Sequence, residues 1–442
     1  MSEVIIADPP EQCNYLDTHP LDPTAQNAIA FIGVGANTRH LAEAGALPHL
    51  MAERPVYFFQ HGEPQLDIPK GQLIRTDTAS GRAEAEELRR SGALHAEYVS
   101  TPPETHLRII QDELALAGEG LLNRLVVAKP VVANEQQIEE ADIALWEAEW
   151  SRMRRGIPMP RVGDQEKSFL YVHEHYQRKE AWSEFQRRLG DVIGILGRPT
   201  SVLVDIEEPK TLEEEHRERA FGDGALPDIG THATSLYLDV ANAIDSSRRY
   251  MASNLITSQV RRFRYEPTVL QDDVETGFIV HGTSQVYDRV EHEEHVVDFT
   301  LMGGKGLSNR KEATVSFVHP DTGDESAITV DLKRNVICLP DDAPAELKAL
   351  FPKTEFSDNG YGRVVLAGLN GGDPDVSFQH WFQAKVVTKW VAELTRQARK
   401  NDMVRHDIGT SLSEMDGVAV RTAGSRKYLV ASGIGNSALQ NA

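Results

Sequence analysis

The segment Ala28-Ile-Ala-Phe-Ile-Gly-Val-Gly-Ala-Asn-Thr-Arg-His40 constrains the fold of this chain more than any other. An unbroken apolar run stops at a glycine, and Leu41, Ala44 and Leu47 then recur on one face, so a buried strand turns tightly into a helix. Gly33 makes the turn, Gly35 lets backbone approach a pyrophosphate, and the N-terminal amides over Ala36, Asn37 and Thr38 receive its charge. Thr38 stands where the third glycine of a dinucleotide fingerprint would be. A turn with no ligand would use the same G-x-G, so the motif needs its neighbours.

Those neighbours repeat the pattern. Strand Pro55-Val-Tyr-Phe-Phe59 ends at Gln60 and His61, with neither the acid common in NAD sites nor the arginine common in NADP sites, so both cofactors stay open. Strand Ala96-Glu-Tyr-Val-Ser100 leads through Thr101, Pro102 and His106 into a helix marked by Leu107, Ile110 and Leu114. Strand Leu125–Val131 presents Lys129 at its C-terminal end, where ligands of open α/β sheets gather. Alternating strands and helices define an α/β, Rossmann-type, doubly wound parallel sheet over residues 27–160, after an N-terminal arm of 1–26. The helix near Glu135–Arg154 sets Ile138, Ile143, Trp146, Trp150 and Met153 on one stripe, which is expected to be core. A Gly/Pro break at 155–163 marks the domain boundary.

An α+β substrate and oligomerisation domain is expected over 161–400, followed by an extension of 401–442. Glu174-His175-Tyr176-Gln177-Arg178-Lys179 offers His175 and Lys179 four apart; on a helix they share a face and could clamp an anion, and in a solvated helix start they are incidental. His173 and His175 form an H-x-H pair with no third metal ligand indicated. Strand Ser201–Glu208 carries Glu207. In Phe221–Leu236 a Gly-rich approach ends at Asp228, and Gly230 permits a turn before a helix whose first turn holds His232. Asp228 and His232 are suited to proton transfer; the same residues also fit a helix cap and a surface histidine. Alternating segments from Arg261 to Leu332, with a turn at Pro320–Asp324, give a large, mainly antiparallel sheet. Phe378, Trp381, Phe382, Val386, Trp390 and Leu394 then describe an amphipathic core helix, beside which His380 and Lys385 are polar.

Three of these segments carry a resemblance. Asp228-Ile-Gly-Thr-His232, Thr101-Pro-Pro-Glu-Thr-His106 and the Ala128-Lys129-Pro130 strand end resemble the Gfo/Idh/MocA oxidoreductases, with Ala128 in place of their glutamate. The resemblance implies NAD or NADP as cofactor, with contacts from the Gly33–Thr38 turn, from Ser100, Thr101, Pro102 and His106, and from Lys129. It places His232 beside the oxidised carbinol, and Lys129 by the substrate hydroxyl and nicotinamide ribose. Residues 168–236 resemble glucose-6-phosphate dehydrogenases, which implies substrate contacts from His175, Tyr176, Lys179, Glu207 and Asp228; Val172 and Arg178 depart from that pattern.

A formal charge of −21 argues against a nucleic-acid partner, and the longest apolar runs fall short of a membrane span. Two distant cysteines, Cys13 and Cys338, fit a reducing cytoplasm without a disulfide framework or a thiolate metal site. The expected protein is a cytoplasmic NAD(P)-dependent dehydrogenase of a sugar, sugar phosphate or cyclitol, assembled as a homodimer or homotetramer. Lys129, Asp228 and His232 are its catalytic group. The alternatives are a redox-neutral NAD-assisted lyase or glycosidase and a non-catalytic nucleotide or sugar sensor.

Overall fold

Strand β1 (Ala28–Ile32) is buried along its whole length because parallel strands flank it on both sides: β2 (Val56–Gln60) on one and β4 (Leu94–Val99) on the other. β3 (Leu73–Arg75) extends the sheet beyond β2; β5 (Arg124–Ala128) and β6 (Leu170–His173) extend it beyond β4. The order β6-β5-β4-β1-β2-β3 reverses direction between β1 and β4, which is the switch point of a doubly wound sheet. A two-residue antiparallel strand, Gln379–His380, closes the edge at β6. The computed structural model describes residues 27–34, 36–43, 46–62, 68, 72–132, 134–162, 164–174, 176–209, 224–246, 249–266, 274–356, 365, 367–407, 419–423 and 426–430. The expected N-terminal arm lies outside them.

Strand alternation divides the core of this sheet. Ala28, Ala30 and Ile32 pack with Ile110, Leu114 and Ile138 from α4 (Pro103–Glu119) and α5 (Glu135–Arg155). Ile29 and Phe31 pack on the other face with Leu41 from α1 (Ala36–Glu43) and Leu50 from α2 (Ala46–Glu53). Local chemistry ends the helices on this frame. Asn134 caps α5 by accepting from the Gln137 N–H at 3.1 Å, and Gly120 and Gly156 close α4 and α5 in the left-handed conformation. The expected core stripe of α5 is not core. Ile138 is buried, but Ile143, Trp146, Trp150 and Met153 are exposed, because the helix packs through Ala141, Leu145, Ala148 and Arg152 instead.

The chain forms two compact units, Met1–Arg178 with Asn359–Lys389, and Lys179–Asp358 with Trp390–Ala442. The boundary expected at 160 falls inside the first unit, since β6 pairs in register with β5. In the second unit eight strands form one sheet: β7 (Arg198–Glu208), β8 (Tyr250–Glu266), β9 (Gly277–Asp288), β10 (Glu293–Lys305), β11 (Lys311–Val318), β12 (Glu325–Asp331), β13 (Val336–Cys338) and β14 (Met403–Asp407). Their order is β13-β12-β11-β7-β10-β9-β8-β14, antiparallel except at β7–β10 and β8–β14. Two helices of this unit, α6 (Glu180–Leu196) and α7 (Ala225–Ser246), pack against each other, and α7 lies on the sheet at β10. Within the expected C-terminal extension, Ala419–Ala423 and Arg426–Val430 form an antiparallel hairpin. Among the described residues no helix is long and apolar enough to cross a membrane.

Candidate functional site

In the first unit the turn after β1 stands at the switch point. Gly33 donates its N–H to the Phe59 carbonyl at 2.9 Å and has φ +85°. A Cβ there would come within 2.7 Å of Thr101 Cγ2 and 2.9 Å of the Ser100 carbonyl oxygen, so the position admits glycine alone. Thr38, fully buried in α1, donates its hydroxyl to the Gly33 carbonyl at 3.1 Å. A side-chain hydrogen bond thus ties helix to turn where the fingerprint would use a third glycine. Gln60, at the end of β2, accepts from the Val34 N–H at 2.7 Å and thereby binds the turn from the side where an acid was sought. Gly35 lies outside the described residues; Ala36 and Asn37 open α1, whose first turn holds no acid.

The other predicted residues of this unit gather at the ends of β4 and β5. Thr101 accepts from the Thr105 hydroxyl at 2.8 Å, and Pro102 precedes the first turn of α4. His106 is buried with Nε2 2.7 Å from the Thr101 carbonyl oxygen and Nδ1 3.0 Å from that of Pro130. Burial holds its imidazole below the ordinary histidine range, against the opposing pull of these carbonyls. Both ring nitrogens of His106 thus face backbone carbonyls, one on the loop after β4 and one on the loop after β5. Lys129 follows β5 directly, is half-buried and borders the same end of the sheet.

The Glu174–Lys179 stretch departs from expectation. Tyr176–Arg178 form a single 3₁₀ turn and Lys179 is extended, with φ −63° and ψ 132°, before α6 begins at Glu180. His175 lies outside the described residues, and Tyr176–Lys179 form no α-helical turn. Tyr176 is buried in the first unit, whereas Lys179 opens the second. His173 is also buried, its Nδ1 hydrogen-bonded to the Tyr98 hydroxyl.

In the second unit α7 begins at Ala225, five residues earlier than the glycine pattern suggests. Glu275 explains the early start, because its carbonyl accepts from Ala225 N–H and its carboxylate from Leu226 N–H, both at 2.9 Å. Asp228 therefore lies in the first turn, and His232 one turn further along the same face. Both are buried, which rules out the surface-histidine reading. Gly230 sits inside the helix, where a Cβ would approach Leu226 to 2.8 Å. Gly303 on β10 lets α7 come close; a Cβ there would collide with Ile229 of α7.

Close packing brings Asp228 to residues the motif did not indicate. Lys305, buried on β10, lies 3.2 Å from the Asp228 carboxylate and also donates to Glu208 on β7. Lys311 stands 3.6 Å from the other Glu208 oxygen. Although burial pushes the Glu208 carboxyl up, the Lys305 and Lys311 ammoniums outweigh it and hold the group at about 2. Burial, with Lys305 and Lys179 nearby, lowers Lys311. Glu207 was the expected acid of this strand, and alternation turns it to the opposite face from Glu208. There it accepts from Ser308, while neighbouring Asp205 is held 3.1 Å from Arg310. The missed signal in the sequence was the spacing of Lys305 and Lys311 on two strands whose pairing only the sheet reveals.

No protein-family model matches the chain, and no curated protein matches it in sequence. Its fold, however, is shared with solved oxidoreductases. The WlbA dehydrogenase from Bordetella pertussis in complex with NADH and UDP-GlcNAcA matches over 85% of this chain and 97% of its own, at 12% identity and a TM-score of 0.52. GenD2 from gentamicin A biosynthesis, in complex with NAD, matches over 86% and 96%, at 17% identity and 0.52. An inositol dehydrogenase homolog from Azotobacter vinelandii, complexed with NAD+, matches over 86% and 96%, at 12% identity and 0.55. At these identities the likeness is one of fold: a Rossmann-type unit followed by an α+β unit with a large, mainly antiparallel sheet, the architecture implied by the Gfo/Idh/MocA resemblance.

Proposed function

We propose that this chain is an NAD(P)-dependent oxidoreductase that interconverts a secondary alcohol and a ketone of a sugar, sugar phosphate or cyclitol. The observation that carries the proposal is the Gly33 turn at the switch point, closed against Ser100 and Thr101 so tightly that no side chain fits. The fit to a dinucleotide is physical: α1 directs its first amides toward the turn, and the sequence of its first turn, Ala36-Asn-Thr-Arg39, opposes no anion. A bound nicotinamide would supply the hydride acceptor or donor.

The chain's own residues do the rest. Oxidation of a carbinol releases the hydroxyl proton, and His232 is assigned as the group that accepts it. Asp228, fixed by Lys305, orients His232 or holds a neighbouring hydroxyl. Lys129 is assigned as the cation that steadies developing alkoxide charge. The fold likeness to enzymes solved with nicotinamide cofactors, one of them with a nucleotide sugar, supports the substrate class.

The test is absorbance at 340 nm with purified protein, NAD and NADP, and a panel of hexoses, hexose phosphates, cyclitols and nucleotide sugars. Signal growth with one substrate is expected, and His232→Ala should slow that turnover by about 10²- to 10⁴-fold. Full turnover by the variant would remove His232 from its role. A flat trace across the panel with cofactor bound would remove the dehydrogenase.

A further inference from the structure

Six of the ten large apolar side chains exposed among the described residues lie on two neighbouring helices of the first unit. Ile143, Trp146, Trp150 and Met153 occupy α5; Phe382 and Val386 occupy the start of α9 (Trp381–Ala398), which follows α8 (Ala345–Leu350) in the chain. The two helices adjoin, since Asp142 of α5 accepts from the Trp381 indole and the Lys385 ammonium, each at 2.9 Å. Phe382 lies 5.7 Å from that ammonium, so its ring borders the Ile143 end of the stripe.

The α5 stripe has the spacing of a coiled-coil seam. Steps of three, four and three residues between 143, 146, 150 and 153 keep all four side chains on one line. Trp146 and Trp150 stack at 6.0 Å with their planes 5° apart, while exposing 61% and 42% of their surfaces. Each aromatic can bury about 150–250 Å² when covered. With Phe382, 63% exposed, and the three aliphatic side chains, the face approaches the roughly 800 Å² per partner of a standard interface.

We propose that this face pairs with the same face of a second copy of this chain, with the two α5 helices antiparallel. A two-fold axis between Trp146 and Trp150 sets Ile143 against the partner's Met153, and Trp146 against the partner's Trp150. Charge selects the direction. The N-terminal part of α5 carries Glu140 and its end carries Arg154, while Glu139 and Arg155 pair within the chain with Lys389 and Glu119. Antiparallel approach places acid beside base at both ends, whereas parallel approach stacks like on like. Near the axis Glu147 lies by the partner's Glu149, a like-charge contact that the apolar seam must outweigh.

Sedimentation equilibrium of the full chain over a dilution series tests the pairing. The wild type should be a dimer or a multiple of one, and Trp150→Glu should reduce it by one step of assembly with an unchanged far-UV circular dichroism spectrum. Glu140→Arg and Arg154→Glu should each weaken association by about three- to tenfold, and their combination should restore it. Within one copy these residues stand about 21 Å apart along the helix, so rescue reports contact between copies. A monomeric wild type overturns the proposal. So does an assembly indifferent to Trp150→Glu, or one in which the charge swap fails to rescue.

Discussion

Lys305 shows how much a single buried cation organises. It pairs with Asp228 on α7 and with Glu208 on the adjoining strand, and so helps keep the Glu208 carboxylate charged where burial alone would push it up. The consequence for stability follows from the Glu208 carboxyl, near 4.3 when unfolded and about 2 when folded. Its contribution is complete above about pH 4.3 and disappears as pH falls toward 2, at a size on the order of 3 kcal/mol. Glu208→Gln should be less stable than wild type at pH 7 and should lose less on acidification. Thermal unfolding from pH 7 to pH 2 would show it; parallel curves for the two proteins would mean that the Lys305 and Lys311 pairing does not govern Glu208. At the Gly33 turn the limiting quantity is space and not charge. Gly33→Ala must accept a positive φ and a contact near 2.7 Å to Thr101, a strain of about 1–3 kcal/mol. NADH affinity, followed by fluorescence titration, should fall about tenfold or more, and undiminished binding would refute the assignment of this turn.

At the scale of elements, α7 depends on what it meets. Its start is set by Glu275, and its depth by Gly303, which lets Ile229 and the Phe278 ring close over the sheet. Gly303→Val should lift the helix and cost about 1–3 kcal/mol through overpacking, read as a lower urea midpoint. An unchanged midpoint would show that α7 has slack at this contact. The α5 helix teaches a related lesson. Its apolar period was visible in the residues, but an apolar stripe has no label for what covers it. Here Ala141, Leu145 and Ala148 take the core side, and the larger stripe faces outward.

For the whole molecule, the assigned roles fall into two units that should fail independently. His232→Ala should leave NADH affinity unchanged, whereas Gly33→Ala should weaken it without unfolding the sheet that carries Asp228 and Lys305; titration and circular dichroism on both variants would reveal any departure. The alternation of strand and helix, the glycine turn and the strand-rich second half were legible in the sequence, because periodicity and Gly stereochemistry act over a few residues. That Asp228 and His232 share a helix face was legible for the same reason, since they stand four apart. Thr38 as a replacement for glycine, the extended backbone at Lys179, the choice of Glu208 over Glu207 and the part played by Lys305 were not. The first is a contact five residues long that a glycine pattern does not announce, and the last two depend on which strands adjoin and on which face a residue turns to its neighbour. That is settled by packing between segments up to a hundred residues apart, where local propensity carries no information.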